Sequence, residues 1–310
     1  MLLQMFFGVS VISFLAFSIW RVIKYRAIPL HLRWELYPVP RETKRPWGGS
    51  YHEDVDWRNT PRRRGWLGEM KTFAGEILLF RLYFLQNRKY WFSVYPFHIG
   101  FFSFLGWLFW LLAGAALSLA GVAVSASSLN IVGRIVSYLT VFCGAVGSVL
   151  GTVGCLSLLA RRILDKELRM YSAPLGYFNL AFIAATFLSS LVGWAFVDPT
   201  FAGLREFMKS PFMPAGGAAL VPALHLNVIL ISLFLMYMPF TSMRHAVAKY
   251  FTFHKVRWDD EPNIVGSRIE KKVIAQLNVA TTWSAPHIQT GKTWADVCSP
   301  AAAEPIQKTK

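Results

Sequence analysis

Charged residues are scarce in this sequence. They make up 16% of its 310 residues, whereas a soluble domain usually carries about a quarter. Cysteine is scarcer still, and Cys143, Cys155 and Cys298 form no C-x-x-C pair. A thiolate zinc site or an iron–sulfur cluster held within this chain is therefore not expected. Two of the three cysteines lie in an apolar run, where cysteine acts as a small hydrophobic residue, and nothing indicates a disulfide.

Acidic residues are in the minority, with 17 Asp and Glu against 32 Lys and Arg, and the formal net charge is +15. A basic excess is also found in proteins that bind nucleic acid. Here, however, the basic residues are confined to segments between apolar runs, as in the cytoplasmic loops of membrane proteins. The charge pattern therefore indicates a lipid bilayer as the partner and no nucleic acid.

Apolar runs are plentiful, since 54% of the residues are hydrophobic. Five runs are long enough to cross the hydrocarbon core of a bilayer, which takes about 20 helical residues. We expect membrane-spanning helices at Met5–Ile23, Val94–Ala120, Ile135–Ala160, Leu175–Val197 and Leu220–Met243. The first run has no basic residue before it and no small-residue cleavage site after it, which is typical of an uncleaved anchor. The sequence thus predicts an all-α integral membrane protein, a bundle of five transmembrane helices.

The basic residues also predict the orientation of this bundle. The segment 21–92 holds 15 of them, the connection 161–169 holds 4 and the tail 244–310 holds 10. On a path of five alternating helices, 29 of the 32 therefore fall on one side, and that side is normally the cytoplasm. We expect the N-terminus outside the cytoplasm, the C-terminus inside it, and a multi-pass protein of the inner (cytoplasmic) cell membrane.

This path divides the chain into four parts: a first transmembrane helix (1–23), a long cytoplasmic loop (24–93), the four remaining helices (94–254) and a cytoplasmic tail (255–310). Within the loop, residues 66–92 carry apolar side chains at helical spacing, interrupted by charges. This pattern favours an amphipathic helix on the inner membrane surface. A helix packed on a partner subunit fits the pattern equally well. The end of the tail, 301–310, has the composition of a disordered segment.

Three histidines lie in or beside the predicted spans, where ionisable residues are costly and usually functional. His98 lies just inside the second span, His225 just inside the fifth, and His245 at the inner end of the fifth. The orientation above puts His98 and His245 at the same depth, near the cytoplasmic face, on different helices. Two imidazoles facing each other across a bundle can hold a haem iron. The plainer alternative is a pair of interfacial histidines that bind lipid headgroups or water.

The sequence around this pair strengthens the haem hypothesis. Y-P-F-H-I-G at 95–100 and M-P-F-T-S-M-R-H at 238–245 resemble the cytochrome b (gamma) subunit of respiratory nitrate reductases. That family has five spans with the N-terminus outside, and its inner-haem ligands lie on spans two and five. In the fifth-span motif a histidine follows the proline of a Pro-Phe pair by six residues, as His245 follows Pro239 here. The resemblance therefore implies that 94–254 is the haem-binding part.

Two further segments, 31–40 and 253–262, are similar to the membrane cytochrome b subunits of sulfate-reducer redox complexes. These are the sulfite-reductase-associated complex, the transmembrane tetrahaem-cytochrome complex and related heterodisulfide-reductase-like assemblies. The resemblance covers about residues 1–262 and implies a haem b subunit that exchanges electrons with the menaquinone pool. It also implies a cytoplasmic iron–sulfur partner resembling the catalytic subunit of heterodisulfide reductase, and further membrane and periplasmic multihaem cytochrome c subunits. Trp34 and Trp258 in these segments suit a docking surface for the iron–sulfur partner, although a fold-back of loop onto tail is equally physical.

The sequence departs from the nitrate-reductase pattern at the second, outer haem. The positions that would supply its ligands are Leu108 and Asn227, and neither is a suitable ligand. His225 is close by, but about 160° separates it from His245 on an ideal helix, unless a kink at Pro239 changes that facing. An outer haem with two histidine ligands therefore cannot be built within this chain. His225 is left with three roles: a hydrogen bond to a quinone, a second haem with a weaker partner, or an ordinary interfacial position.

Basic residues at the inner rim are candidates for the haem propionates, because cations pair well with carboxylates. Arg244, beside His245, is the candidate that we include in the cofactor site; the others are Arg88, Lys89, Arg161 and Arg162. Most such residues are ordinary positive-inside anchors. The sequence as a whole favours a quinone-linked haem b subunit of an anaerobic respiratory redox complex. The competing hypothesis is a haem-free anchor for a soluble redox enzyme, and a transporter is disfavoured because no repeat and no paired mid-membrane charges occur.

Overall fold

In the computed structural model, the described residues are 2–28, 30, 55–56, 66–209, 220–256 and 265–299, and they are largely helical. The α-helices are α1 (Leu2–Ala27), α2 (Trp66–Leu78), α3 (Arg81–Gln86), α4 (Arg88–Leu119), α5 (Ile131–Leu164), α6 (Lys166–Met170), α7 (Pro174–Phe196), α8 (Ala202–Lys209), α9 (His225–Tyr237), α10 (His245–Val256), α11 (Arg268–Leu277) and α12 (Trp294–Cys298). Short 3₁₀ turns occur at Pro222–Leu224, Met238–Phe240 and Ser242–Arg244. Among these residues β-structure is limited to two isolated bridges, so the predicted all-α class is confirmed.

Five of the helical segments are long and apolar enough to cross a membrane: Leu2–Ala27, Arg88–Leu119, Ile131–Leu164, Pro174–Phe196 and Pro222–Phe240. The five predicted spans are thereby confirmed, and the chain has the character of a multi-pass membrane protein. The helix ends differ from the prediction where capping decides them. α4 begins at Arg88 because the side chain of Asn87 accepts a hydrogen bond from the backbone N–H of Tyr90.

The segment 66–92 was expected to form one amphipathic helix, and this expectation is wrong. It forms α2, α3 and the start of α4, with an elbow at Leu79–Phe80 between the first two helices. Phe80 has φ 50° and ψ 45°, a left-handed conformation that cannot continue a right-handed helix. Apolar side chains remain exposed along this segment, among them Leu67, Leu78, Leu82 and Leu85.

The chain divides into two compact units, one of residues 1–19 with 74–244 and the other of residues 20–73 with 245–310. In the first unit, α4 and α5 are antiparallel and touch through glycines. A Cβ added to Gly147 would lie 2.9 Å from the backbone nitrogen of Phe104, and one added to Gly154 would overlap the backbone of Phe97. Small residues allow such close backbone approach between membrane helices. Large aromatic side chains then fill the core between α4, α7 and α9, including Phe104, Trp107, Phe187 and Phe234.

We name the two ends of this first unit after their arginines. At the Arg161 end, where α4 begins and α5 ends, the Arg161 Nε donates to the Ser93 hydroxyl at 2.7 Å. At the Arg205 end, where α4 ends and α5 begins, the Arg205 Nη1 donates to the carbonyl oxygen of Val124 at 2.8 Å. α7 runs from the Arg161 end to the Arg205 end, and α9 runs back towards the Arg161 end.

In the second unit, residues 265–299 form a small folded module that was not predicted from the sequence. The hydroxyl of Thr281, which is 3% exposed, donates to the carbonyl oxygens of Gln289 and Lys292 at 2.7 and 3.0 Å. Ile269 and Ile288 are buried beside this turn. α12 starts with a capping box of Thr293 and Asp296, a feature that fixes a helix start in the sequence itself.

Candidate functional site

His98 lies in the half of α4 nearest the Arg161 end, and it is half-buried. Its Nδ1 atom lies 2.8 Å from the carbonyl oxygen of Val94, one turn earlier on the same helix. A protonated Nδ1 donates to that oxygen, which leaves the imidazole lone pair on Nε2. This is the arrangement in which proteins hold a metal-binding histidine, because the backbone contact fixes both the tautomer and the ring.

Aromatic rings surround the imidazole of His98. The ring of Phe80 is closest, with its centroid 4.4 Å from that of the imidazole and a tilt of 43°. Phe97 approaches edge-on at 5.0 Å, and Phe102 lies at 6.5 Å. An apolar, aromatic neighbourhood of this kind suits the edge of a large flat cofactor, and such a shell also lowers the local dielectric.

His225 is exposed and is the first residue of α9. Its Nδ1 lies 3.1 Å from the carbonyl oxygen of Pro222 and 3.3 Å from that of Val221. This places His225 at the Arg205 end, whereas His98 lies towards the Arg161 end of the same unit. The structure therefore does not bring these two histidines together.

His245 is exposed and is the first residue of α10, in the second unit. The expectation that the fifth span continues as a helix to Met243 is wrong, because α9 ends at Tyr237. Two 3₁₀ turns follow, separated by Thr241 in an extended conformation with φ −89° and ψ 174°. The angle of about 160° between His225 and His245 assumed a continuous ideal helix, so it does not apply. Pro239 lies within the first of these turns, as expected of a residue that ends helices.

The side chain of Thr241 forms hydrogen bonds with backbone groups at this interruption. Its hydroxyl donates to the carbonyl oxygen of Met238 at 2.9 Å and accepts from the backbone N–H of Met243 at 3.2 Å. The side chain is 7% exposed. Backbone groups that lose their helical partners within a membrane protein need such a replacement, since no water is at hand. Sequence reasoning identified the proline but not the threonine that completes the break.

Two of the basic candidates for propionate binding are engaged in helix packing. Arg161, besides its bond to Ser93, donates through Nη2 to the carbonyl oxygen of Lys89 at 2.6 Å. The Arg88 guanidinium lies 4.7 Å from the centre of the Phe84 ring. The side chain of Arg244 lies outside the described residues, although its backbone closes the second 3₁₀ turn. The segment 31–40 and residues 257–262 also lie outside them.

The described core at the Arg205 end does not fit a second haem. Leu108 is 6% exposed, and the side-chain amide of Asn227 donates to the hydroxyls of Ser189 and Ser190 at 3.0 and 2.8 Å. The cavity beside Asn227 has a volume of about 10 Å³, far below the roughly 300–1,000 Å³ of small-molecule sites. It is lined by Phe104, Trp107, Gly144, Ser190, Gly193, Trp194, Phe201, Leu204 and Asn227. The imidazole of His98, by contrast, is a ligand of the kind that haem iron binds.

Two buried donors at the Arg205 end have no acceptor among the described residues. The indole N–H of Trp107 is one, although this side chain is 2% exposed. The other is Arg205, which is 5% exposed and whose Nε and Nη2 have no hydrogen-bond partner. Burial lowers the pKa of the Arg205 guanidinium, and the nearby carboxylates of Asp198 and Glu206 act in the opposite direction. Neither donor was singled out by the sequence, since burial of a lone arginine is visible only in the fold.

The described residues contain no group of three or more His, Cys, Asp and Glu side chains that could hold a metal ion. A haem with two imidazole ligands needs fewer protein ligands than such a group. Comparison with protein families, with curated proteins and with solved structures gave no match. The functional assignment therefore rests on the residues themselves.

Proposed function

We propose that this protein is the haem b membrane subunit of an anaerobic respiratory redox complex, with His98 and His245 as the axial ligands of one haem. The observation that carries the proposal is the state of His98. Its Nδ1 is held by the Val94 carbonyl at 2.8 Å and its ring is enclosed by aromatic side chains, both of which prepare Nε2 to bind a metal. The bound haem would supply one-electron redox chemistry, and the chain would supply ligands and a low-dielectric site.

His245 is the natural second ligand for a different reason. It follows an interruption of the fifth span that is built from Pro239 and completed by the hydroxyl of Thr241. Interruptions of membrane helices are tolerated where the freed backbone groups are satisfied, and they commonly line functional sites. Arg244, its neighbour, would pair with a propionate. The His98–His245 pairing follows the resemblance at 95–100 and 238–245 and is part of the proposal.

The electron partners belong to the same proposal. We infer exchange of electrons between the menaquinone pool and a cytoplasmic iron–sulfur subunit resembling the catalytic subunit of heterodisulfide reductase. His225 is exposed at the Arg205 end, and the described core there does not fit a second haem, so we assign His225 to the quinone. The protein would span the inner membrane with its N-terminus outside and its C-terminus in the cytoplasm.

Optical spectra of the purified protein, oxidised and then reduced, test the haem. Wild type should show a low-spin haem b, and His98→Ala and His245→Ala should each lose it because the iron would lack one imidazole. His287→Ala is the matched control, since His287 is an exposed histidine of the 265–299 module. A wild type without haem would support the haem-free anchor instead. An unchanged spectrum in either ligand variant would show that the ligands are wrong.

Labelling of introduced cysteines tests the orientation separately from the haem. Cysteine at Thr293 should react with membrane-impermeant thiol reagents only from the cytoplasmic side, and cysteine at Ser127 only from outside. Ser127 is exposed and Thr293 is partly exposed, so accessibility is set by the side of the membrane. Replacement of the natural Cys298, which is also exposed, removes the background. The reverse labelling at either position would contradict the five-helix path with its N-terminus outside.

A further inference from the structure

The elbow between α2 and α3 places a bulky side chain in an unfavourable backbone conformation. Phe80 has φ 50° and ψ 45°, a region that glycine and asparagine adopt easily and that a large aromatic residue rarely does. Phe80 and Phe201 are the residues other than glycine that have positive φ within the described part of the chain. Conformations of this kind persist only when the surrounding structure enforces them, and they concentrate at functional sites.

The surroundings of Phe80 do enforce the elbow. The indole N–H of Trp91, on the first turn of α4, donates to the carbonyl oxygen of Leu79 at 2.9 Å. The carbonyl oxygen of Phe80 accepts from the backbone N–H of Phe84 at 3.0 Å. The ring of Phe84 in turn packs edge-on against Trp91 at 5.2 Å. The elbow is thus tied to the same helix that carries His98.

The result of this arrangement is the contact between Phe80 and His98. The Phe80 ring leans over the imidazole, with centroids 4.4 Å apart, while Phe97 meets the imidazole edge-on at 5.0 Å. Val94 holds Nδ1 through its carbonyl oxygen. The hydrogen bond fixes one atom of the imidazole, and the two rings resist rotation of the imidazole about its Cβ–Cγ bond.

We propose that Phe80 is a positioning residue for the axial imidazole of His98, and that the strained elbow exists to hold it there. The inference rests on the proposed haem ligation by His98. The plane of an axial imidazole affects the electronic structure of a low-spin haem iron, and the packing around a ligand affects cofactor affinity and reduction potential. Phe80 itself touches the ligand and has no assigned contact with the haem.

Phe80→Gly separates this role from a merely structural one. Glycine accepts positive φ without strain, so the elbow should remain, while the imidazole of His98 gains freedom to rotate. We expect shifted or broadened low-spin electron paramagnetic resonance signals, a shifted midpoint potential, and haem binding weaker by about tenfold, as when other groups that orient metal ligands are lost. Phe80→Tyr keeps the ring and should restore the wild-type values.

Leu85→Ala is the matched control in α3. The side chain of Leu85 is 63% exposed, so the spectrum and potential of this variant should match those of wild type. A haem-containing wild type with an unchanged Phe80→Gly spectrum, potential and haem affinity would overturn this inference alone. Equal changes in Leu85→Ala would also overturn it, because they would show a general effect of substitutions in α3. A wild type that binds no haem would overturn the proposed function, and this inference with it.

Discussion

Gly100 of α4 and Gly151 of α5 meet backbone to backbone. A Cβ added to Gly100 would overlap the backbone nitrogen and Cα of Gly151, and neither atom belongs to a side chain that could rotate away. The contact therefore fixes how closely the two central helices pack. It lies between the other glycine contacts of the same pair, at Gly147 and Gly154.

Gly100→Ala should therefore separate α4 from α5 and destabilise the first unit. Added methyl groups in tight cores cost about 1–3 kcal/mol, and a clash with backbone belongs at the upper end of this range. Thermal unfolding in detergent measures the effect. Gly106→Ala, on the same helix, is the control, because its Cβ would lie 3.6 Å from the Cys143 sulfur in ordinary contact. Equal melting temperatures for the two variants would contradict the prediction.

Thr241→Val should weaken the break in the fifth span. Valine keeps the shape of threonine and the bond from the backbone N–H of residue 241 to the Met238 carbonyl, but it leaves the Met243 N–H without its bond, at a cost of about 1–3 kcal/mol for a buried group. Thr241→Ser retains the hydroxyl and should stay close to wild type. The melting temperature and the haem-to-protein ratio are the measurements. If valine and serine behave alike, the hydroxyl has no part in the break.

Asn227→Leu should loosen α9 from α7, because the amide is bonded to both Ser189 and Ser190. Hydrogen bonds between membrane helices contribute about 0.6 kcal/mol on average and up to about 1.7 kcal/mol. Ser189→Ala removes one of the two acceptors and leaves the other, so it should cost less. The prediction fails if the alanine variant melts lower than the leucine variant.

Arg205→Met should lower stability only slightly, and Arg205→Ala should lower it more. Methionine fills most of the space and removes two donors, Nε and Nη2, that are unpaired among the described residues, which offsets part of the loss of the bond from Nη1 to the Val124 carbonyl. Alanine also removes the packing of the side chain. Chemical or thermal unfolding of both variants measures the change in stability. Strong destabilisation by methionine would mean that the guanidinium binds a group that the described residues do not include.

Acid should weaken the cap of α12. Hydrogen bonds from Thr293 hold the pKa of Asp296 below its usual value, so the ionised carboxylate stabilises the module above the unfolded-state pKa. That contribution is lost as the pH falls through the lowered pKa of the folded state. Thr293→Ala should reduce this dependence, because it removes the hydroxyl bond to Asp296 and keeps the backbone bond, and amide exchange of residues 294–298 between pH 2 and 5 would show the difference. A wild-type module that is indifferent to acid would contradict the assignment.

The membrane architecture was readable from the sequence because it depends on the length of apolar runs, which needs no tertiary information. The caps of the 265–299 module were also readable, since Ser267 precedes Glu270 and Thr293 precedes Asp296 at the capping-box spacing. The module was nevertheless not predicted, because the segment 265–299 is mostly polar in composition. A module closed by Thr281 and two isoleucines needs few apolar residues.

Several details of the site depend on tertiary contacts that cannot be read from the sequence. The elbow at Leu79–Phe80 contains no glycine or asparagine that would indicate a positive φ in the sequence. The break after Tyr237 was suggested by Pro239, but its extent was set by Thr241, whose hydroxyl bonds to Met238 and Met243 depend on the folded backbone. Asn227 bonds to Ser189 and Ser190, and these partners became visible only when α7 and α9 were seen side by side.

α1 differs from the other spans in how little of it is covered by protein. In its most apolar window 11% of the residues are buried, against 33–44% in the other four spans, and Phe7 and Ser10 are its buried positions. Shape therefore constrains few of its residues, and most positions only have to be apolar. During evolution, most positions of α1 can exchange leucine, isoleucine, valine and phenylalanine for one another. Gly100 and Gly151 cannot be exchanged in this way, because a larger side chain would clash with the facing helix. We expect distant relatives to have diverged most in α1 and to be recognised by the glycine spacing of the two central helices.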